Sequence, residues 1–261
     1  MWIVSFQKGM DYDEDKRWER KSRKLVPPKW VFKSREDPGG LFCLKSINVV
    51  NEYMKFPGVD FTYSLSTFRS DKSTSILVVL NLYHEEDGWV AEICDTEAAF
   101  LHPNMEVEMF IKWSEGILEL GIITKEFLEE YFIFLEESMY GNVDAALLWL
   151  ILLSEYLVNK YNLKMSKANS CIFFREYEKG MLELVVSVHV YNVLMAGKPE
   201  TLNNIKERIK ENFNISESGK VNNFLVVYYE WGRDAKGTYA KITMDKDVNN
   251  LAVGYEKYTG S

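Results

Sequence analysis

Leu184-Val185-Val186-Ser187-Val188-His189-Val190-Tyr191-Asn192-Val193-Leu194-Met195-Ala196-Gly197 is an apolar run, a short polar tip and a second apolar run. The first arm is rich in valine, which favours extended backbone. The pattern reads as a strand–turn–strand hairpin whose tip, Tyr191-Asn192, faces solvent or a cleft.

Working outward toward the C-terminus, Leu202, Ile205, Ile209 and Phe213 recur at spacings of three and four. Lys206, Glu207, Arg208, Lys210 and Glu211 are assigned to the other side, so this is an amphipathic helix laid against a sheet. Phe224 to Trp231 reads as a strand, and Tyr239 to Thr243 pairs with it after a turn over Gly232–Gly237.

Toward the N-terminus, Asp144 to Tyr161 reads as a long helix and Phe127 to Leu135 as a short aromatic-rich one. Glu106 to Ile111 is a strand after a turn at Pro103-Asn104, and Trp89 to Cys94 is a strand ending at Asp95. Ile76 to Leu82 reads as helical. Trp30 to Lys33 and Leu41 to Val50 are partner strands about the turn Pro38-Gly39-Gly40. Hairpins and helices are mixed, so the class is α+β.

The 261 residues are 47% hydrophobic and 14% aromatic, ample for a packed core. The formal net charge is -8, which weighs against a wholly basic nucleic-acid-binding surface, because affinity for phosphates comes largely from cations and counterion release. Cys43, Cys94 and Cys171 are far apart, and His84, His102 and His189 complete no zinc-site spacing. A sparse, odd cysteine count fits a reducing intracellular compartment, cytoplasmic or nuclear. The start, Met1-Trp2-Ile3-Val4-Ser5-Phe6-Gln7-Lys8, is too quickly charged for a signal peptide. The most apolar stretch, Ala145 to Leu153, is far short of the roughly 20 residues a bilayer needs, so no membrane span is expected. Residues 8–24 are dense in charge of both signs and read as a solvated arm, with a basic arm for RNA as the alternative.

Several ordered motifs carry a resemblance. Trp30-Val31-Phe32-Lys33, then Lys45 through Gly58-Val59-Asp60-Phe61, then Asp95-Thr96-Glu97-Ala98-Ala99-Phe100-Leu101 come in turn. Met109-Phe110-Ile111-Lys112-Trp113-Ser114-Glu115-Gly116 follows, then Ser138-Met139-Tyr140-Gly141 with Trp149, the hairpin with its Ala196-Gly197, residues 214–219 and Phe224-Leu225. In this order and spacing the chain resembles copia-type retrotransposon reverse transcriptases from about Pro27 onward. The resemblance implies a right-hand polymerase fold, with a fingers-and-palm domain over 27–261 and no thumb, and the charge-dense start is set apart as an arm over 1–26.

In active relatives the palm holds Mg²⁺ with paired aspartates at the hairpin and a third carboxylate beside them. The resemblance places Asp95 at the third position, and Tyr191 and Asn192 where the paired aspartates would stand. Two Mg²⁺ ions about 4 Å apart activate the primer hydroxyl and steady the leaving pyrophosphate, and they need hard oxygen ligands in octahedral array. A phenol with an ordinary pKa near 10 is neutral and bulky there, and an asparagine brings no charge. The expectation is therefore an inactive domain with no resident cofactor, although its relatives are RNA-directed DNA polymerases, a class of nucleotidyltransferase.

Other departures agree. Lys45 matches the family's first basic residue in the fingers and is the candidate contact for a nucleotide phosphate, yet Ile47 and Asn51 stand where two arginines are expected. Losing guanidinium forks weakens a triphosphate site. Leu147 replaces an arginine before Trp149, and Val226 replaces a glycine after Phe224-Leu225.

Alternatives remain for single residues. Asp95 either binds one Mg²⁺ or is a solvated strand cap. His189 is either a structural palm residue or a base. Glu92 and Glu97 are weighed as parts of a rebuilt metal site; in a strand Glu97 would share Asp95's face by the two-residue period and Glu92 would not. His102 reads as exposed. For the whole chain the alternative is a domesticated module on the polymerase scaffold, holding RNA or an RNA–DNA hybrid weakly, or holding a protein.

Overall fold

The hairpin forms, one residue out of register with its expected tip. Its arms are Met181–His189 and Asn192–Gly197, and its turn is Val190-Tyr191. His189 pairs directly with Asn192, so Asn192 begins a strand instead of sitting at the tip. The geometry comes from a computed structural model. It describes residues 10–11, 25–36, 42–51, 86–130, 133–178, 180–224, 227–244, 248–249, 251–253, 255 and 258. The expected helix at 76–82, the Gly58–Phe61 motif and Val226 lie outside the described residues.

In chain order the first strands are β1 (Met10–Asp11), β2 (Pro28–Glu36), β3 (Phe42–Val50), β4 (Val90–Thr96), β5 (Asn104–Ile111) and β6 (Ile133–Glu137). Next come β7 (Lys164–Met165), β8 (Ile172–Glu178), β9 (Met181–His189) and β10 (Asn192–Gly197). The last are β11 (Ile215–Lys220), β12 (Asn223–Phe224), β13 (Val227–Asp234) and β14 (Gly237–Thr243). The α-helices are α1 (Lys125–Glu130), α2 (Ala145–Glu155) and α3 (Pro199–Lys210). The mixture is α+β, as the pattern implied. No helix among the described residues is long and apolar enough to cross a membrane.

The chain divides into two compact units, Met1–Thr67 with Ala98–Leu153, and Phe68–Glu97 with Ser154–Ser261. In the first, β1, β6 and β5 form one antiparallel sheet in that order, and Val26 adds a parallel bridge to Ile111. Val26, Val50, Met109, Ile111, Ile133, Leu135 and Met139 pack as its core. β2 and β3 form a separate two-stranded ribbon with continuous pairing from Pro28↔Val50 to Glu36↔Phe42. The Tyr140-Gly141 motif has a steric reason here. Tyr140 accepts a 2.8 Å hydrogen bond from the Val50 N–H, Gly141 has φ +84°, and any Cβ there would collide with the Val50 carbonyl.

The second unit carries a six-stranded sheet, β11-β4-β10-β9-β8-β7, antiparallel at every pairing. Strand pleating puts Ala91 and Ile93 on one face, where they join Val185, Leu194, Ala196, Val221, Tyr229 and Trp89 in a core cluster. The opposite face takes α3, which buries Leu202, Ile205 and Ile209. β12, β13 and β14 form a small sheet of their own, with Trp231 Nε1 donating to the Val221 carbonyl at 2.7 Å. Tyr229 is buried, and loss of water pushes its phenol up to about 12.

Three local expectations need correction. Residues 127–135 are not one helix. α1 begins under Thr124, whose Oγ1 accepts from the Phe127 N–H at 3.2 Å, and Ile133 starts β6 because alternate residues there bury into the β1-β6-β5 sheet. The turn after β13 is Ala235-Lys236, set by Lys236 N–H donating to Asp234 Oδ1 at 2.7 Å. Gly232 stays within the strand and is covered by its cross-strand partner Tyr239, whose ring occupies the space a Cβ would need. His102 is half-buried, not exposed, with its ring 5.8 Å from that of fully buried Trp149.

Candidate functional site

The end of the six-stranded sheet gathers a row of polar residues. β4 delivers Asp95, and the register sets Asn192 directly across from it on β10 and Ser216 directly across on β11. Asn192 pairs on its other side with His189 of β9. Directly paired residues in an antiparallel sheet point to the same face, with Cα atoms roughly 4.5–5.5 Å apart. Ser216, Asp95, Asn192 and His189 therefore form one row, on the face that carries Ala91 and Ile93.

Backbone hydrogen bonds close this edge. The Thr96 N–H donates to the Tyr191 carbonyl at 2.8 Å, and the Glu97 N–H donates to the Asn214 carbonyl at 2.9 Å. Two residues with side chains take the left-handed conformation beside the row, Val190 at φ 54° and Ala98 at φ 53°. A β-branched residue there costs about 1–3 kcal/mol, so the hairpin tip is held by pairing on both sides against local preference. Tyr191 is 46% exposed at the turn. Burial holds the His189 imidazole below the ordinary histidine pKa, which favours its neutral form.

The sequence-predicted residues divide as follows. Asp95 and Asn192 are direct partners and Tyr191 adjoins them. Lys45 lies in the other compact unit, on β3 opposite Lys33. Glu97 falls just past the end of β4, so the two-residue alternation that would place it beside Asp95 does not reach it. Glu92 lies on the opposite face from Asp95, where its Oε2 receives Lys206 Nζ at 2.8 Å.

Asp95 is the one carboxylate in the row. Among the described residues no three His, Cys, Asp or Glu side chains converge as a metal site. A pair of Mg²⁺ ions held by one carboxylate and neutral oxygens would repel each other with little compensation. The donor set does not fit that group.

Two features escaped the sequence reading. Lys206, assigned to the solvent side of α3, is 5% exposed and belongs to the buried stripe. It stands four residues after Leu202 and three before Ile209, a spacing that puts it on the apolar face. Ser187 Oγ is wholly buried within β9 with no hydrogen-bond partner among the described residues, and nothing in the residue type distinguishes it from an exposed serine.

Residues 18–244 match the protein family described as "Reverse transcriptase (RNA-dependent DNA polymerase)". The chain belongs to the reverse transcriptase family. Over 243 residues it is 24% identical to the retrovirus-related Pol polyprotein from transposon TNT 1-94 of Nicotiana tabacum, covering 91% of this chain. It spans 16% of that polyprotein's length. These two matches carry the copia-type resemblance. Among solved structures, the foamy viral protease–reverse transcriptase in complex with double-stranded DNA has a TM-score of 0.44 and 14% identity, covering 86% of this chain and 31% of that one. Apo telomerase from Candida tropicalis, truncated from the C-terminal domain, has a TM-score of 0.41 and 10% identity, covering 93% of this chain and 58% of that one. In this reverse transcriptase chain, the paired row Ser216–Asp95–Asn192–His189 holds one carboxylate among the described residues.

Proposed function

We propose that this chain is a copia-type reverse transcriptase domain of a retroelement, built of fingers and palm, that does not synthesise DNA. In this reading the six-stranded sheet is the palm and the β2–β3 ribbon belongs to the fingers. Asp95, Tyr191 and Asn192 occupy the metal-binding positions. One observation carries the proposal. Asn192 faces Asp95 in direct register while Tyr191 takes the turn, so one carboxylate stands where active relatives need three. Polymerisation requires two cations to be charge-balanced beside the primer hydroxyl, and this row supplies one negative charge.

The chain's own residues would still shape the cleft. Tyr191 sets an exposed ring at its edge and Asn192 a neutral amide. His189, kept neutral by burial, contributes a hydrogen-bonding imidazole and no charge. Ile47 and Asn51 remove the guanidinium forks that would grip a triphosphate, which supports the same conclusion.

A second reading is a module that holds RNA or an RNA–DNA hybrid without extending it. The exposed lysines of β2 favour it over a protein-only scaffold. Primer extension on an RNA template with Mg²⁺ tests the main reading, and product accumulating in proportion to enzyme would refute it.

A further inference from the structure

We propose that the closed turn over residues 115–122 is a docking surface for a basic, apolar segment of another protein. Leu118, Leu120 and Ile122 would fill its centre, and the surrounding glutamates would pair with the partner's lysines or arginines. The surface uses no residue of the Asp95 row, so the inference goes beyond the inactive-polymerase reading and does not depend on it.

Three observations converge. First, the turn is built, not loose. The Leu120 N–H donates to the Gly116 carbonyl at 3.0 Å, the Gly121 N–H to the Leu118 carbonyl at 2.9 Å and the Ile122 N–H to the Ile117 carbonyl at 3.3 Å. Ile117 is buried and roots the turn in its unit. Gly116 and Gly121 take φ +87° and +67°, left-handed values that glycine adopts without a Cβ penalty. Just beyond, Phe127 of α1 packs edge-on against Trp113, with ring centroids 5.8 Å apart.

Second, this ordered turn holds apolar side chains in water. Leu120 is 72% exposed, Ile122 52% and Leu118 38%. Ile117 takes the inward position, so these three are left for something outside the unit to cover. Apolar side chains grouped on one turn and rimmed by polar residues mark an interaction site, whereas singly scattered ones do not.

Third, charge selects the partner. Residues 115–130 hold five glutamates and one lysine, and Glu115, Glu119 and Glu126 are exposed. A field of that sign repels phosphates, which disfavours nucleic acid and anionic lipid. A second copy of this chain brings the same acidic rim and a formal net charge of -8, so it is repelled as well. A protein segment with apolar residues flanked by cations meets both halves of the surface, the apolar centre and the complementary polar rim.

The test is fluorescence anisotropy of a short labelled amphipathic peptide of leucine and lysine, titrated with the whole chain, beside a matching peptide of leucine and glutamate. The lysine peptide should bind and the glutamate peptide should not. Leu120→Ser with Ile122→Ser should weaken binding about tenfold or more. Glu115→Lys with Glu119→Lys should weaken it about as much at low salt and reduce its salt dependence. Glu178→Lys with Glu211→Lys, at exposed acids of the other compact unit, should leave binding unchanged. Thermal melts check that each variant folds, and Leu120→Ser alone replaces the double variant should that one unfold. Absence of binding by the lysine peptide, equal binding of both peptides, or equal loss in the Glu178 and Glu211 variant would overturn the proposal. Self-association in sedimentation that Leu120→Ser with Ile122→Ser abolishes would overturn it too and assign the turn to a second copy. No extension is measured here, so failure would leave the inactive-polymerase reading untouched.

Discussion

Lys206 Nζ lies 2.8 Å from Glu92 Oε2, joining α3 to the underside of β4, the strand that carries Asp95. The lysine side chain is 7% exposed and the glutamate 24%. Lys206→Met removes the cation and leaves a carboxylate half-enclosed without its partner, which costs about 2–3 kcal/mol after allowing for its contact with water. Adding Glu92→Leu should recover most of that loss, because a well-packed apolar pair of similar volume is often as stable as a buried ion pair. Urea denaturation of the single and double variants measures both steps. Equal stability of Lys206→Met and wild type would contradict the buried-pair account.

His189 makes stability depend on pH. Its folded-state pKa is lowered by burial, so the unfolded chain binds the extra proton more readily. The neutral-histidine contribution is present above the unfolded value of about 6.5 and is lost as pH falls toward the folded value. Denaturant midpoints at pH 7.5 and 5.5 should show a drop for wild type that is smaller in His189→Phe. An unchanged drop would place the pH sensitivity elsewhere.

Ser187→Ala should be neutral or stabilising by up to about 1 kcal/mol. Its hydroxyl is fully buried and finds no partner among the described residues, and burying an unsatisfied hydroxyl costs free energy that the methyl of alanine does not. Thermal melts of the two proteins decide it. A clear loss of stability would mean the hydroxyl is satisfied in solution.

Much of the fold was legible because the sheet is buried on both faces, so β9 and β10 read as continuous apolar runs. The hairpin was found, but its turn was placed one residue late. Polar residues mark turns, and a valine at φ 54° gives no such mark. β6 was read as helix because Phe127 to Leu135 is aromatic and aliphatic apart from Glu129-Glu130, and only pairing with β1 and β5 decides for a strand. Lys206 was assigned by its charge when its spacing put it inside. At the candidate site, the resemblance put Asp95 beside a Tyr191-Asn192 tip, and the direct register of Asp95 with Asn192 comes from the structure. The opposite-face position of Glu92 followed from the pleat, and its lysine partner did not.

The central claim concerns chemistry at the Asp95–Asn192 row, and primer extension on an RNA template with Mg²⁺ tests it most directly. Wild type should give no product above a no-enzyme control. Tyr191→Asp with Asn192→Asp should restore weak metal binding at most, because Ile47 and Asn51 still leave the triphosphate without arginine contacts. Template-dependent extension by the wild-type chain would contradict the account, and robust extension by the double variant would contradict the part that assigns inactivity to more than the two lost carboxylates.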